Sequence, residues 1–129
     1  MALGGNNLKL RCPMSSCRVL EVTVPSPGYS AGDMYRHNNV VGVWVNDYVT
    51  GDTGVLITFA PDIIVPCAVV TTSVDYDEGE PVYYDVADAE VNQTTSGNYL
   101  CGHTLVTPAI GDEEVEIELD GAANLVLGT

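Results

Sequence analysis

The sequence predicts an all-β fold: a small antiparallel β-barrel or sandwich with an extended N-terminal arm. Three observations predict it. Valine occurs 19 times and threonine 11 times in 129 residues, while strong helix formers are scattered. β-Branched side chains lose little on a pleated surface and more in a helix. Apolar residues also alternate with polar ones in short runs, and no window of a dozen residues repeats them at helical spacing. Finally, glycine-acid pairs punctuate the runs, as tight turns between strands require.

Residues 1–17 are the arm. They hold Gly4, Gly5, Asn6, Asn7, Pro13, Ser15 and Ser16, with too few apolar residues for a core element. Within them Leu8-Lys9-Leu10-Arg11 alternates and would form a strand if another chain offered an edge. Residues 18–129 form one domain. Its first strand carries Val19, Val22 and Val24 and is closed by Pro25-Ser26-Pro27-Gly28. Val41, Val43 and Val45 then share one strand face with Trp44 on the other. Val55, Ile57 and Phe59 make a third strand, and the near-continuous apolar run Ile63–Val70 a fourth, with Cys67 as a small core residue. Pro81–Asp85, Tyr99–Val106 and Val115–Leu119 complete the set. Gly32-Asp33, Gly51-Asp52, Gly79-Glu80 and Gly111-Asp112 supply the turns: glycine adopts positive φ, and the acid can bond local amides.

Charge divides the chain in the same place. Eighteen acids against four bases give −14. All four bases (Lys9, Arg11, Arg18, Arg36) fall in the first 36 residues with only Glu21 and Asp33, so that segment is +2 and the remainder −16. A body of that sign repels phosphate, which excludes nucleic acid as its partner. No apolar run approaches the length of about 20 residues that a membrane helix needs. The start lacks the pattern of a signal peptide, so the chain is expected to stay where it is made.

The search for chemistry yields little. The four cysteines (Cys12, Cys17, Cys67, Cys101) allow three pairings of two disulfides, and without an export signal they read as reduced thiols. Zinc held by Cys12, Cys17, Cys101 and His103 is the alternative, although neither spacing is a standard one. His37 and His103 are available as bases, but no nucleophile elbow, phosphate loop or metalloprotease motif accompanies them. The clusters Asp75 to Glu80 and Asp112 to Glu114 lack the spacing of a calcium loop. In Glu114-Val-Glu116-Ile-Glu118-Leu-Asp120 the acids alternate with Val115, Ile117 and Leu119, which reads as a solvated strand face that also resists edge-to-edge aggregation. Asn92-Gln93-Thr94 is a formal glycosylation sequon read as accidental. Seven tyrosines against one phenylalanine and one tryptophan suit either an interface or half-buried barrel positions.

Several segments come in a characteristic order: Ala31-Gly32-Asp33, Thr50-Gly51-Asp52-Thr53-Gly54-Val55, Glu78-Gly79-Glu80-Pro81-Val82-Tyr83-Tyr84-Asp85, Gly97-Asn98-Tyr99-Leu100-Cys101-Gly102 and Gly111 through Gly121. Over residues 18–121 this order resembles the small tailed-phage capsid decoration, or cement, proteins. The resemblance implies a compact, β-tulip-like barrel added to the outer surface of an icosahedral head after assembly in the host cytoplasm. It implies a homotrimer that clamps adjacent major capsid subunits and so stabilises the head. It transfers no catalytic residue, and no enzyme activity, cofactor or metal is expected. The capsid-binding arm would then use Leu8, Lys9, Leu10, Arg11 and Arg18, whose bases meet acidic capsid surface. Oligomer or capsid contacts would fall on Tyr35, Arg36, Trp44 and Tyr83. The competing readings are a carbohydrate- or calcium-binding β-module, such as an exposed adhesin, and a small enzyme using His37 or His103.

Overall fold

The computed structural model describes residues 8–72 and 76–122. Nine strands run β1 (Lys9–Leu10), β2 (Arg18–Thr23), β3 (Met34–His37), β4 (Val40–Trp44), β5 (Thr53–Pro66), β6 (Pro81–Asp85), β7 (Glu90–Asn92), β8 (Tyr99–Thr104) and β9 (Glu114–Asp120). One 3-10 turn, Met14–Ser16, links β1 to β2. The strands form a single antiparallel sheet in the order β3-β4-β5-β9-β8-β6-β7, with β1 and β2 added to the other side of β5. A bridge between Cys67, just past β5, and Val91 of β7 brings the last strand of this path back to the end of β5. The result is a nearly closed β-barrel, one of the two all-β forms that the valine-rich alternation predicts.

The long strand β5 organises everything else. Two strands were expected where the structure has one, which runs through Pro61 although proline cannot donate to a ladder. The chain passes Pro61-Asp62 by a register shift between Ala60 and Ile63, so pairing with β9 resumes beyond it. The bulge bends β5, which lets its first half pair with β4 and its second half with β9.

Two cores result. Inside the barrel, Val41, Val43, Ile57, Ala60, Ile63, Val65, Val82, Val91, Ile117 and Leu119 are fully or almost fully buried. On the opposite face of β4 and β5, Val22, Val24, Trp44 and Leu56 form a second cluster under Tyr29, Tyr35 and Tyr48. Strand β9 alternates as the sequence predicts: Val115, Ile117 and Leu119 point in, and the four acids point out or lie half-exposed.

The glycine-acid turns share one device. Gly32, Gly51, Gly79 and Gly111 all adopt positive φ, between 80° and 94°. In each, the following acid accepts a hydrogen bond from the backbone N–H three residues earlier: Asp33 from Ser30, Asp52 from Val49, Glu80 from Asp77 and Asp112 from Ala109. The acid's own N–H returns a bond to the carbonyl of that same residue. The acids at these turns therefore fix the chain's direction into the next strand.

Residues 1–7 of the expected arm lie outside the described residues. The described part does not project. It pairs antiparallel with the chain's own β5, Lys9 opposite Ile64 and Leu10 opposite Ile63, and the Arg11 N–H continues the ladder to the Asp62 carbonyl at 2.9 Å. The edge that was expected from another chain is supplied in cis. The reason is that β2 ends its pairing at Phe59, leaving the second half of β5 open on that side, while Leu8 and Leu10 find the barrel core beneath.

Candidate functional site

The β1–β2 edge gathers three of the four bases. Lys9, Arg11 and Arg18 are all exposed there. Lys9 Nζ meets both carboxylate oxygens of Glu114, at 2.7 and 2.9 Å, which ties β1 to β9 over the outer face of β5. Arg11 acts on a second acidic position. The Glu116 carboxyl is raised above its ordinary value by its hydrogen bond to Asp62, by burial and by the Asp62 charge, and Arg11 partly offsets this. The bases of β1 and its C-terminal flank thus act across β5 on the acidic face of β9.

Next to these bases the edge is apolar. Met14 is 44 % exposed, Val19 52 % and Leu20 37 %. Among the described residues, β2 has a strand neighbour only on its β5 side, so six residues of main chain keep an open edge. Long apolar edges are usually blunted by charge, proline or a bulge because they invite pairing. Here a register shift between Arg18 and Val19 turns the start of the strand, but Val19 and Leu20 remain outward. Alternation marks Val19 as strand but does not show which neighbours cover it, and Met14 sits in a polar turn where no pattern singles it out.

The aromatic candidates resolve differently. Trp44 is completely buried, which corrects its expected place at an interface. Tyr29 stacks on it at 5.6 Å and 26°, Tyr35 packs at 5.2 Å and Tyr48 meets it edge-on at 5.5 Å. The Tyr48 hydroxyl accepts the Val55 N–H at 3.0 Å, which anchors the ring. Tyr29 and Tyr48 come from loops joined by their own bridge, so the cover over Trp44 is a tertiary feature that strand alternation does not reveal. Tyr35 remains half-exposed at the margin of the cluster. Arg36 is held rather than free: its guanidinium carbon sits 5.0 Å from the Tyr99 ring centroid, and Nη1 donates to the Asn38 carbonyl at 2.8 Å. Tyr83 lies half-buried on the outer face of β6, between Val82 and Tyr84 of the core.

An open groove of about 730 Å³ lies between the β8–β9 loop and the ends of β5 and β9. Ile64, Pro66, Val106 and Pro108 line it with Glu114 and Glu116, and its charged groups are carboxylates that accept from basic donors. His103 Nε2 stands 3.9 Å from Glu118 Oε1 on the outside of the barrel. Cys101, expected as a companion of Cys12 and Cys17 at zinc, is fully buried on β8 with its thiol directed at the Val82 carbonyl, and β5 and β9 separate it from β1. Among the described residues no three ligating side chains converge.

A family model described as phage cement protein matches residues 14–119. The chain belongs to that family. Membership gives it a capsid-associated structural role and a place on the virion, in keeping with the order of glycine-acid turns and the barrel they build. The matched stretch contains β2 to β8 and nearly all of β9, and begins after β1. No curated protein and no solved structure matches the chain.

Proposed function

We propose that this cement protein decorates the outer surface of a tailed-phage head and clamps adjacent major capsid subunits through its β1–β2 edge. The observation that carries the reading is the open, outward edge of β2, where Val19 and Leu20 lie exposed beside Arg18. An open strand edge offers main-chain hydrogen bonds to a capsid strand, the apolar pair adds buried area, and the bases steer the edge toward acidic capsid surface. The acidic remainder then faces solvent and discourages clumping of particles. Individually modest contacts hold firmly when several copies are joined, so a trimer, with Tyr35 and Tyr83 at the copy-to-copy contacts, completes the proposal.

The test uses emptied heads built from the major capsid protein encoded with this chain. Co-sedimentation of the Arg18→Glu/Val19→Asp variant should weaken by roughly tenfold or more relative to the unmodified protein, with unchanged circular dichroism. Equal binding by a folded variant overturns the edge as the docking surface. Light scattering should return a trimer mass, and a monomer would overturn that part.

A further inference from the structure

The connection between β1 and β2 carries a pair of thiols that the cement role does not use. Cys12 follows β1 and Cys17 precedes β2, with the 3-10 turn between them. That turn is closed by two backbone bonds of 2.9 Å, Ser16 N–H to the Pro13 carbonyl and Cys17 N–H to the Met14 carbonyl. It brings the two Sγ atoms to 3.9 Å, both half-buried against the barrel. The other two thiols are closed off: Cys67 is 2 % exposed and Cys101 fully buried, and burial pushes each up to about 12.

We propose that Cys12 and Cys17 are a thiol modification site, a reversible disulfide that staples the N-terminal strand β1 to β2 on the shared edge of β5. The co-reactant is a low-molecular-weight disulfide of the glutathione class. One thiol loses its proton and attacks a sulfur of that disulfide, which releases one small thiolate and leaves a mixed disulfide on the protein. The neighbouring thiolate then attacks the protein sulfur, the ring closes and the second small thiolate departs. Two protons and two electrons leave the protein, and the small disulfide is reduced to two thiols.

The geometry suits closure, because the sulfurs already touch and side-chain rotation brings them to a bond of about 2.0 Å. The consequence is local. Strand β1 is only two residues long, and its ladder to β5, the Lys9–Glu114 pair and the packing of Leu8 and Leu10 hold it in place. A covalent ring at its C-terminal end removes much of its freedom to detach. Burial, the hydrogen bond with Cys12 and that thiol's charge push Cys17 up to about 11. Little of it is thiolate at neutral pH, so the exchange accelerates as pH rises.

The experiment treats the native protein with oxidised glutathione at pH 8, quenches with acid and reads the intact mass and the tryptic peptide Cys12–Arg18, which holds both cysteines. The expected product has lost two hydrogens within that peptide. The Cys12→Ser and Cys17→Ser variants should each stop at one glutathione adduct on the remaining thiol. The oxidised protein should show a rise in Tm of roughly 5 °C and slower hydrogen exchange at the Arg11 amide, which bonds to the Asp62 carbonyl. A wild-type protein that stays unmodified, or ends as a glutathione adduct, overturns the pairing. A disulfide that forms without changing either Tm or exchange overturns the staple.

Discussion

Lys9 and Glu114 are 105 residues apart in the chain, yet the Lys9 ammonium binds both oxygens of the Glu114 carboxylate at 2.7 and 2.9 Å. The pair spans β5, whose two edges carry β1 on one side and β9 on the other. Both side chains are about half exposed, at 47 % each, so water screens the attraction. Lys9→Ala should therefore lower global stability by less than about 1 kcal/mol. Its effect should concentrate in β1, where few other bonds hold the strand. Hydrogen exchange at the Arg11 amide, which bonds to the Asp62 carbonyl, should quicken in the variant and, for the unmodified protein, in high salt. Unchanged exchange would show that Leu8 and Leu10 alone dock the strand.

Trp44 offers the largest single effect. It is completely buried, and Tyr29, Tyr35 and Tyr48 all lie within 5.6 Å of it, ring centre to ring centre. Truncation to alanine leaves a cavity that three tethered rings cannot fill, at a cost of about 3–5 kcal/mol. The urea midpoint followed by circular dichroism should fall accordingly. The barrel core lies on the other face of β4, so Trp44→Ala should disturb the β2–β5 region first. Residue-resolved exchange would detect that order.

Two glycines separate backbone strain from steric closure. Gly111 has φ +94° and open space where a Cβ would stand, so alanine there meets only conformational strain of about 1–2 kcal/mol. At Gly121 a Cβ would overlap the Val41 carbonyl oxygen, the same oxygen-bearing strand whose N–H bonds back to the Gly121 carbonyl at 2.9 Å. Alanine there must part β9 from β4. Gly121→Ala should cost clearly more than Gly111→Ala, above about 3 kcal/mol, in thermal or urea unfolding. Equal losses would mean that β4 yields easily.

Local chemistry explains what the sequence makes visible. The turns at Gly32-Asp33 and Gly111-Asp112 are readable because a positive φ and an acid bonding three residues back involve only neighbours. The alternation of β9 is readable because one strand face meets solvent along its whole length. Long-range placement is where reading stops. The runs around Phe59 and Ile63 read as two strands, because the bulge that carries β5 past Pro61 depends on β9 continuing opposite. Trp44 looks available for a partner until loop residues Tyr29 and Tyr48 close over it. At the candidate site, Lys9, Arg11 and Arg18 are visible as a basic cluster, whereas the exposed Val19, Leu20 and Met14 beside them depend on where β2 docks.

Glu90 supplies a pH dependence whose sign can be worked out. Burial, followed by the charges of Asp88, Asp85 and Glu113, raises its carboxyl above the ordinary value of 4.5. Between that unfolded value and the raised folded one, the folded state binds more protons, so the contribution of Glu90 to stability falls as pH rises. Above the folded value its destabilising effect is fully present. Glu90→Gln removes the charge without removing the side chain, so the variant should melt above the parent at pH 7. That advantage should shrink as the pH is lowered toward 4.5, where Glu90 is protonated in both states of the parent to a growing extent. Paired melting curves across this range provide the check. A variant that melts below the parent at pH 7, or an advantage that grows on acidification, would reverse the assigned sign.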